Sequence, residues 1–254
     1  MKDEANGRIL KTTRMSLRVL ELVLEHDGLT LARLAELIDK PKSSLHSHLQ
    51  TLLNARYLVK NDNTYRVSFR VSLLGEMARQ QRLEDSRVRG IVEELAAETG
   101  EEANFVVLEH GRLLMAYGAS GDSASEERNV DFRTEYYLHN TAAGKAILAE
   151  MEPARVDRVL DRWHLPQESE STIQSRERLL ESQNEVLSRG YGISDEESAP
   201  GLVTVGVAIH RSQDIIGGLS VGGPKYRISM DRLHTEFADT LLEKAAALEN
   251  QLEQ

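Results

Sequence analysis

The sequence predicts an α+β protein of two domains joined by a linker helix: an N-terminal winged helix-turn-helix and a larger C-terminal domain of mixed strands and helices. Three observations carry this. Two short amphipathic stretches, 31–38 and 42–53, are separated only by the turn Asp39-Lys40-Pro41 and followed by a polar-tipped β-hairpin. A charged run of good helix formers, Glu76 to Asp85, then interrupts the apolar patterning. Beyond it, strand-like and helix-like segments alternate to the C-terminus. The expected boundaries are 1–73 for the first domain, 74–85 for the linker helix and 86–254 for the second domain.

Residues 1–13 are polar, with Arg8 and Lys11 followed by Arg14. Two readings stand: a solvated tail, or a basic arm that touches phosphate or a minor groove. Ser16 is expected to cap a helix running to about His26, with Leu17, Leu20, Val23 and Leu24 as its buried stripe and Asp27-Gly28 ending it. The next helix points Leu31, Leu34, Ala35 and Ile38 inward, with Thr30 as N-cap and Arg33 and Glu36 toward solvent. Pro41 suits the start of the following helix, because its missing N–H would have no intrahelical partner there. Leu45, Leu49 and Leu52 recur at i, i+4, i+7 and share its inner face.

The outer face of that helix carries Lys42, Ser43, His46, Ser47 and Gln50, hydrogen-bond donors without a single carboxylate. Such a face suits a phosphate backbone and base edges. Lys42, Ser43 and Ser44 lie in the first turn, where free N–H groups and the helix dipole favour an anion, so they are assigned to phosphate. His46, Ser47 and Gln50 are assigned to bases. His48 falls between Leu45 and Leu49 on the wheel, which leaves a half-buried structural role and a base contact both open. From periodicity alone a plain helical hairpin fits these two helices equally well. The strands Ala55–Lys60 and Thr64–Val67 around Asn61-Asp62-Asn63 favour the wing. In the wing, Lys60, Asn63 and Arg66 are placed to reach the DNA backbone, while Tyr57, Leu58 and Val59 are expected to close the core.

In the second domain a helix over 87–98 turns Val88, Ile91, Val92, Leu95 and Ala96 inward and ends at Thr99-Gly100. Strands 103–109 and 112–117 form a hairpin around His110-Gly111. Residues 119–128 are Gly/Ser-rich and expected as a loop, and 129–133 as a further strand. Helices are expected over 141–151, 153–163 and 175–189, paired strands over 203–210 and 215–221, and a long closing helix over 229–252.

At 254 residues there is ample chain for a buried core. No apolar run is long enough for a membrane span, and the N-terminus lacks a signal peptide's apolar core, so a soluble cytoplasmic protein is expected. The absence of cysteine excludes disulfides, thiolate metal sites and cysteine nucleophiles. The net charge of −10 hides an asymmetry: residues 1–82 hold 14 Lys/Arg against 9 Asp/Glu, and the remainder 17 against 32. A basic first third on an acidic remainder fits nucleic-acid binding at one end only.

Two further stretches are distinctive: Leu138-His139-Asn140-Thr141-Ala142-Ala143-Gly144-Lys145-Ala146-Ile147-Leu148-Ala149, and Arg189-Gly190-Tyr191-Gly192-Ile193-Ser194-Asp195-Glu196-Glu197-Ser198-Ala199-Pro200-Gly201. Together with Leu219-Ser220-Val221-Gly222-Gly223-Pro224 and the N-terminal Pro41 to His46, they resemble the IclR family of transcriptional regulators, from about residue 15 to the end. The resemblance implies a GAF-like effector-binding second domain, and a homodimer or dimer of dimers on a palindromic double-stranded operator. It also implies a small metabolite as ligand, such as a carboxylic or sugar-derived acid. Carried onto this chain, its pocket residues are Ala142, Ala143, Leu202, Thr204, Ser220 and Gly222, with Asp195 near the rim. Relatives often have cysteine where Thr204 stands, serine where Gly222 stands and arginine where Ser47 stands, so neither ligand nor operator preference transfers directly.

Small residues at Ala142, Ala143 and Gly144 leave room at a helix N-terminus whose free N–H groups can hold a carboxylate, or they serve close helix-on-sheet packing. Lys145 is expected to be structural or at the rim, since the glycine spacing and following Ser/Thr of a P-loop are missing. Asp195-Glu196-Glu197 reads as a solvated turn rather than a metal site. No cofactor is implied, and neither a nucleophile elbow nor a dinucleotide fingerprint is present. The expected function is therefore a ligand-responsive transcriptional regulator, not an enzyme. Its competitors are a ligand-free architectural DNA binder and an enzyme with an appended DNA-binding domain.

Overall fold

The computed structural model describes residues 8–83, 85–125 and 135–253, and the chain forms two compact units, 1–82 and 83–254. The first opens with α1 (Lys11–Glu25), then β1 (Leu29–Thr30), α2 (Leu31–Ile38), α3 (Lys42–Asn54), β2 (Leu58–Asn61), β3 (Thr64–Val67) and α4 (Arg70–Arg82). The strands form a three-stranded antiparallel sheet in the order β1-β3-β2, with Asp62 left-handed (φ 53°) in the two-residue tip of the wing. Its core gathers Val19, Leu22 and Val23 from α1, Leu34 from α2, Leu45, Leu49 and Leu52 from α3, and Leu58 and Tyr65 from the hairpin. The leucine spacing of α3 thus does what the sequence predicts. The Thr30 hydroxyl accepts the Arg33 N–H (3.3 Å) as the N-cap of α2, and Arg33 pairs with Glu36 in solvent at 2.8 Å.

Several expectations need correction. α1 begins at Lys11, so Lys11 and Arg14 are helical, and Ser16 lies inside the helix and does not cap it. The buried stripe is Val19, Leu22 and Val23, an i, i+3, i+4 set facing α3, while Leu17 and Leu24 are 53% and 64% exposed. The Ser16 hydroxyl instead lies 2.8 Å from Nδ1 of His48, tying α1 to α3. Val59 is 45% exposed, because the alternation that buries Leu58 turns its neighbour outward. The charged helix α4 spans Arg70–Arg82, so it begins before the expected start at 74 and ends before 85.

The second unit begins with α5 (Asp85–Thr99) and the hairpin β4 (Glu102–Glu109) and β5 (Arg112–Ser120), whose tip His110-Gly111 is left-handed at both residues (φ 51° and 78°). α6 (Asp122–Ser125), β6 (Glu135–Tyr136), α7 (Ala142–Glu150), α8 (Pro153–Trp163), α9 (Arg176–Arg189), β7 (Gly192–Asp195), β8 (Leu202–Arg211) and β9 (Asp214–Pro224) follow. The chain closes on α10 (Met230–Arg232), a π-helical turn (Leu233–Phe237) and α11 (Ala238–Leu252). The closing helix expected over 229–252 therefore carries a π-turn near its start. Residues 119–120 complete β5 and 122–125 form α6, where a loop was expected. The expected strand 129–133 and residues 1–7 of the tail lie outside the described residues.

The strands form one antiparallel sheet, β6-β5-β4-β9-β8-β7. Strand alternation divides it into two faces. Ala103 and Phe105 of β4, Val203, Val205, Val207 and Ile209 of β8, and Leu219 and Val221 of β9 pack with Val88, Val92, Leu95, Leu241 and Leu248 of α5 and α11. The opposite face, with Val106 and Ala208, receives Ala143 and Ile147 of α7, backed by Leu160 of α8 and Leu179 of α9. α7 lies close to this face because glycine stands beneath it: a Cβ on Gly206 would come within 2.3 Å of the Ala143 nitrogen, and one on Gly192 within 2.2 Å of the Ala142 oxygen.

Candidate functional site

On the first unit, Lys42, Ser43, Ser44, His46, Ser47 and Gln50 are all exposed along one side of α3, opposite its three buried leucines. His46 and His48 point to different faces, since His48 is half-buried against Ser16. In the wing Lys60 and Asn63 are exposed, and the Lys60 ammonium lies 5.3 Å from the ring centroid of Tyr65. Arg66 is exposed but committed within the chain, its Nη1 donating to Asp27 at 2.6 Å. A phosphate contact by Arg66 would have to share or replace that partner.

The second unit holds a cavity of about 100 Å³ between the N-terminus of α7 and the sheet. Its walls include Ala142, Ala143, Leu202, Thr204, Ser220 and Gly222, six of the seven residues expected there. Their convergence follows from register. Thr204 pairs with Gly222 across β8 and β9, and Ser220 pairs with Asn104 across β9 and β4, so alternate positions of three strands face α7. Asp195 is not a wall residue. Its carboxylate pairs with Lys225 at 2.7 Å. Gly222 is required by a close approach, because a Cβ there would fall 2.1 Å from the Val203 carbonyl oxygen.

The first backbone bond of α7 runs from the Lys145 N–H to the Thr141 carbonyl (2.9 Å), so the N–H groups of Ala142 and Ala143 have no partner within the helix. The Thr141 hydroxyl does not cap them, since it donates to the Tyr137 carbonyl at 3.0 Å. Ala142 and Ala143 line the cavity, and Gly144 allows close packing, its Cβ position lying 2.4 Å from the Leu138 oxygen.

Further wall residues were not expected from the sequence: Glu102, Asn104, Tyr136, Ser198 and Arg227 among them. Arg227 is held by Glu101 through two bonds, Nε to Oε1 at 2.7 Å and Nη2 to Oε2 at 2.5 Å. Glu102 accepts from the Ser120 hydroxyl at 2.9 Å, and partial burial raises its pKa above the ordinary glutamate value, with a smaller push from Glu101. The strand alternation of Glu102, Asn104 and Val106 was the one available signal, two polar positions preceding an apolar one on the same face of β4.

Behind the cavity, Lys145 and Glu197 form a buried ion pair, so the acidic run 195–197 is not the solvated turn expected. Burial pulls Lys145 down and pushes Glu197 up, and their mutual attraction opposes both shifts. The Thr172 hydroxyl donates to the Glu197 carbonyl at 2.6 Å, fixing the turn that carries the wall residues Ser198 and Ala199. Among the described residues no three His, Asp or Glu side chains converge as a metal site requires, and no helix is long and apolar enough to cross a membrane.

Comparison with known proteins bears on both units. Residues 16–62 match the IclR helix-turn-helix domain, and residues 83–250 match the bacterial transcriptional regulator IclR C-terminal domain. The chain belongs to the IclR family of bacterial transcriptional regulators. It is 29% identical over 254 residues to a probable HTH-type transcriptional regulator, ArcR, of Halobacterium salinarum, covering 98% of this chain and 97% of that one. It is 27% identical over 248 residues to the transcriptional repressor IclR of Escherichia coli, covering 95% and 89%. A solved IclR homolog from Microbacterium hydrocarbonoxydans, complexed with 4-hydroxybenzoate, shares the fold with a TM-score of 0.78 at 21% identity, covering 95% of this chain and 99% of that one. This IclR-family chain is accordingly a DNA-binding transcriptional regulator, with a helix-turn-helix unit and a C-terminal α/β unit.

Proposed function

We propose that this regulator holds a small metabolite in the cavity between α7 and the sheet and converts its occupancy into a change of operator affinity. The observation that carries the reading is the cavity itself: walled by hydroxyls, backbone N–H groups and apolar side chains, in the same chain as an exposed, carboxylate-free recognition helix. At about 100 Å³ it is well below the ~300–1,000 Å³ of drug-sized ligand sites, which favours a small effector, a carboxylic or sugar-derived acid. Ala142, Ala143, Leu202, Thr204, Ser220 and Gly222 are its contacts. Lys42, Ser43 and Ser44 hold phosphate, His46, Ser47 and Gln50 read bases, and Lys60 and Arg66 steady the wing on the backbone.

The working form is a homodimer or dimer of dimers on a palindromic operator, since a two-fold assembly presents two recognition helices to two half-sites. The chain acts in the cytoplasm by binding alone and carries out no reaction. Residues 1–73 bind DNA, the segment 74–85 that joins them to the second unit transmits, and 86–254 sense the ligand. Effector binding favours one pose of the paired winged helices, and DNA affinity changes by the ratio of effector affinities in the two poses.

The test is a titration of candidate effectors against an operator complex of the full chain, with Thr204→Leu as the control variant. A leucine fills the cavity from β8, so this variant is expected to bind DNA normally and lose the ligand response. An unchanged ligand titration in Thr204→Leu overturns the assignment of the cavity.

A further inference from the structure

Within the cavity, charge is distributed unevenly. The guanidinium of Arg227 is matched by the bidentate Glu101, so the cation in the wall is already balanced. Glu102, two residues before Asn104 on the same face of β4, is also a wall residue. Gly222 is its register partner on β9, so the position directly opposite on that strand carries no side chain. Among the described residues the groups acting on it are the Ser120 hydroxyl and the like-charged Glu101. Thr141, Thr204, Ser198 and Ser220 add hydroxyls to the same walls.

A donor-free acid anion in so small a space would meet Glu102 as a second negative charge, at a cost that burial increases. A hydroxyl or ammonium on the ligand would instead donate to it, in a charge-assisted bond stronger than a neutral one. We infer that Glu102 is a specificity-determining residue that reads a hydrogen-bond donor, so that the effector is a hydroxy or amino compound and not a plain carboxylic acid. This rests on the cavity being the effector site.

The experiment measures binding of matched probes to the full-length protein by thermal shift and calorimetry. Propionate, lactate and alanine share a three-carbon acid skeleton and differ in bearing no donor, a hydroxyl or an ammonium. Benzoate, 4-hydroxybenzoate and 4-(aminomethyl)benzoate, and hexanoate with gluconate, repeat the comparison on larger skeletons. On at least one skeleton the donor-bearing member is expected to bind about 10-fold more tightly than its donor-free partner, about 1.4 kcal/mol. Glu102→Ala removes that preference. Glu102→Gln keeps an acceptor oxygen, so it retains preference for a hydroxyl and loses preference for an ammonium, which separates the two donor types.

Equal or tighter binding of the donor-free acids, or a preference that survives in Glu102→Ala, overturns the inference and leaves the effector reading standing. A panel in which no compound of either kind is bound overturns both.

Discussion

Replacing Lys145 by methionine keeps most of the volume beneath α7 and removes the cation. Glu197 is then left with its carboxylate buried and no charge partner, since Lys145 is 3% and Glu197 8% exposed. Breaking a buried pair from one side costs about 3–5 kcal/mol, mostly because the remaining charge is stranded. For a domain of this size each kcal/mol lowers Tm by about 2–4 °C, so a fall of about 6–20 °C is expected. The double variant Lys145→Met/Glu197→Met strands nothing and should lie within about 1 kcal/mol of wild type. Urea unfolding of the four proteins closes a double-mutant cycle, with a coupling energy of at least about 2 kcal/mol expected. Effector affinity should follow the same pattern, because the turn that Glu197 anchors carries Ser198 and Ala199 into the cavity wall. A single variant that costs less than about 1 kcal/mol, or a double variant that costs the sum of the singles, refutes this account of the pair.

On the DNA side, Lys42→Ala should weaken binding to all sequences and reduce the salt slope by about 1, whereas Gln50→Ala should relax base preference by about 1–3 kcal/mol at one position of each half-site; equal losses on cognate and random DNA for both would remove the division of roles. His139 is buried beside the Pro166 carbonyl at 3.2 Å, and burial lowers its pKa below the ordinary 6.5. The unfolded chain therefore takes up a proton on His139 before the folded one does, and stability is lost as pH falls below about 6.5. Urea unfolding at pH 5 and 7 should show that loss reduced in His139→Gln, and an identical pH difference in the two proteins would reject it. Gly206→Ala puts a methyl where 2.3 Å separates it from the Ala143 nitrogen, so overpacking should cost about 1–3 kcal/mol and weaken effector binding; a neutral substitution would show that α7 is free to move off the sheet.

What was legible in the sequence was whatever rests on local spacing. Leu45, Leu49 and Leu52 define the inner face of α3 by themselves, and the outward side of the same helix follows. Val88, Ile91, Val92, Leu95 and Ala96 do the same for α5, and all five are buried. In α1 local spacing admitted two stripes. The one containing Leu17 and Leu24 is richer in leucine, but the choice was made by α3, which meets Val19, Leu22 and Val23. Ser16 likewise resembles a cap until His48, 32 positions away, supplies its partner.

The cavity was only partly legible for the same reason. Thr204, Ser220 and Gly222 share a face once β8 and β9 pair, and that pairing is a simple hairpin. Glu102 and Asn104 join them only because β4 lies beside β9, more than a hundred residues along the chain. Asp195 looked like a rim residue because its motif ends beside the cavity. Its carboxylate pairs with Lys225, 30 positions later, and the residue is not among the walls. The burial of Glu197 depends on Lys145, 52 positions earlier, in a pairing that no local pattern announces.

Coupling between effector occupancy and operator binding is tested by a reciprocal titration. Genomic fragments retained by the protein are footprinted to define the site, and operator affinity is then measured with and without effector, and effector affinity with and without operator. A palindromic protected site and the same factor in both directions are expected, since coupling is reciprocal. Binding that shares no sequence, falls only with salt and ignores every ligand would contradict it.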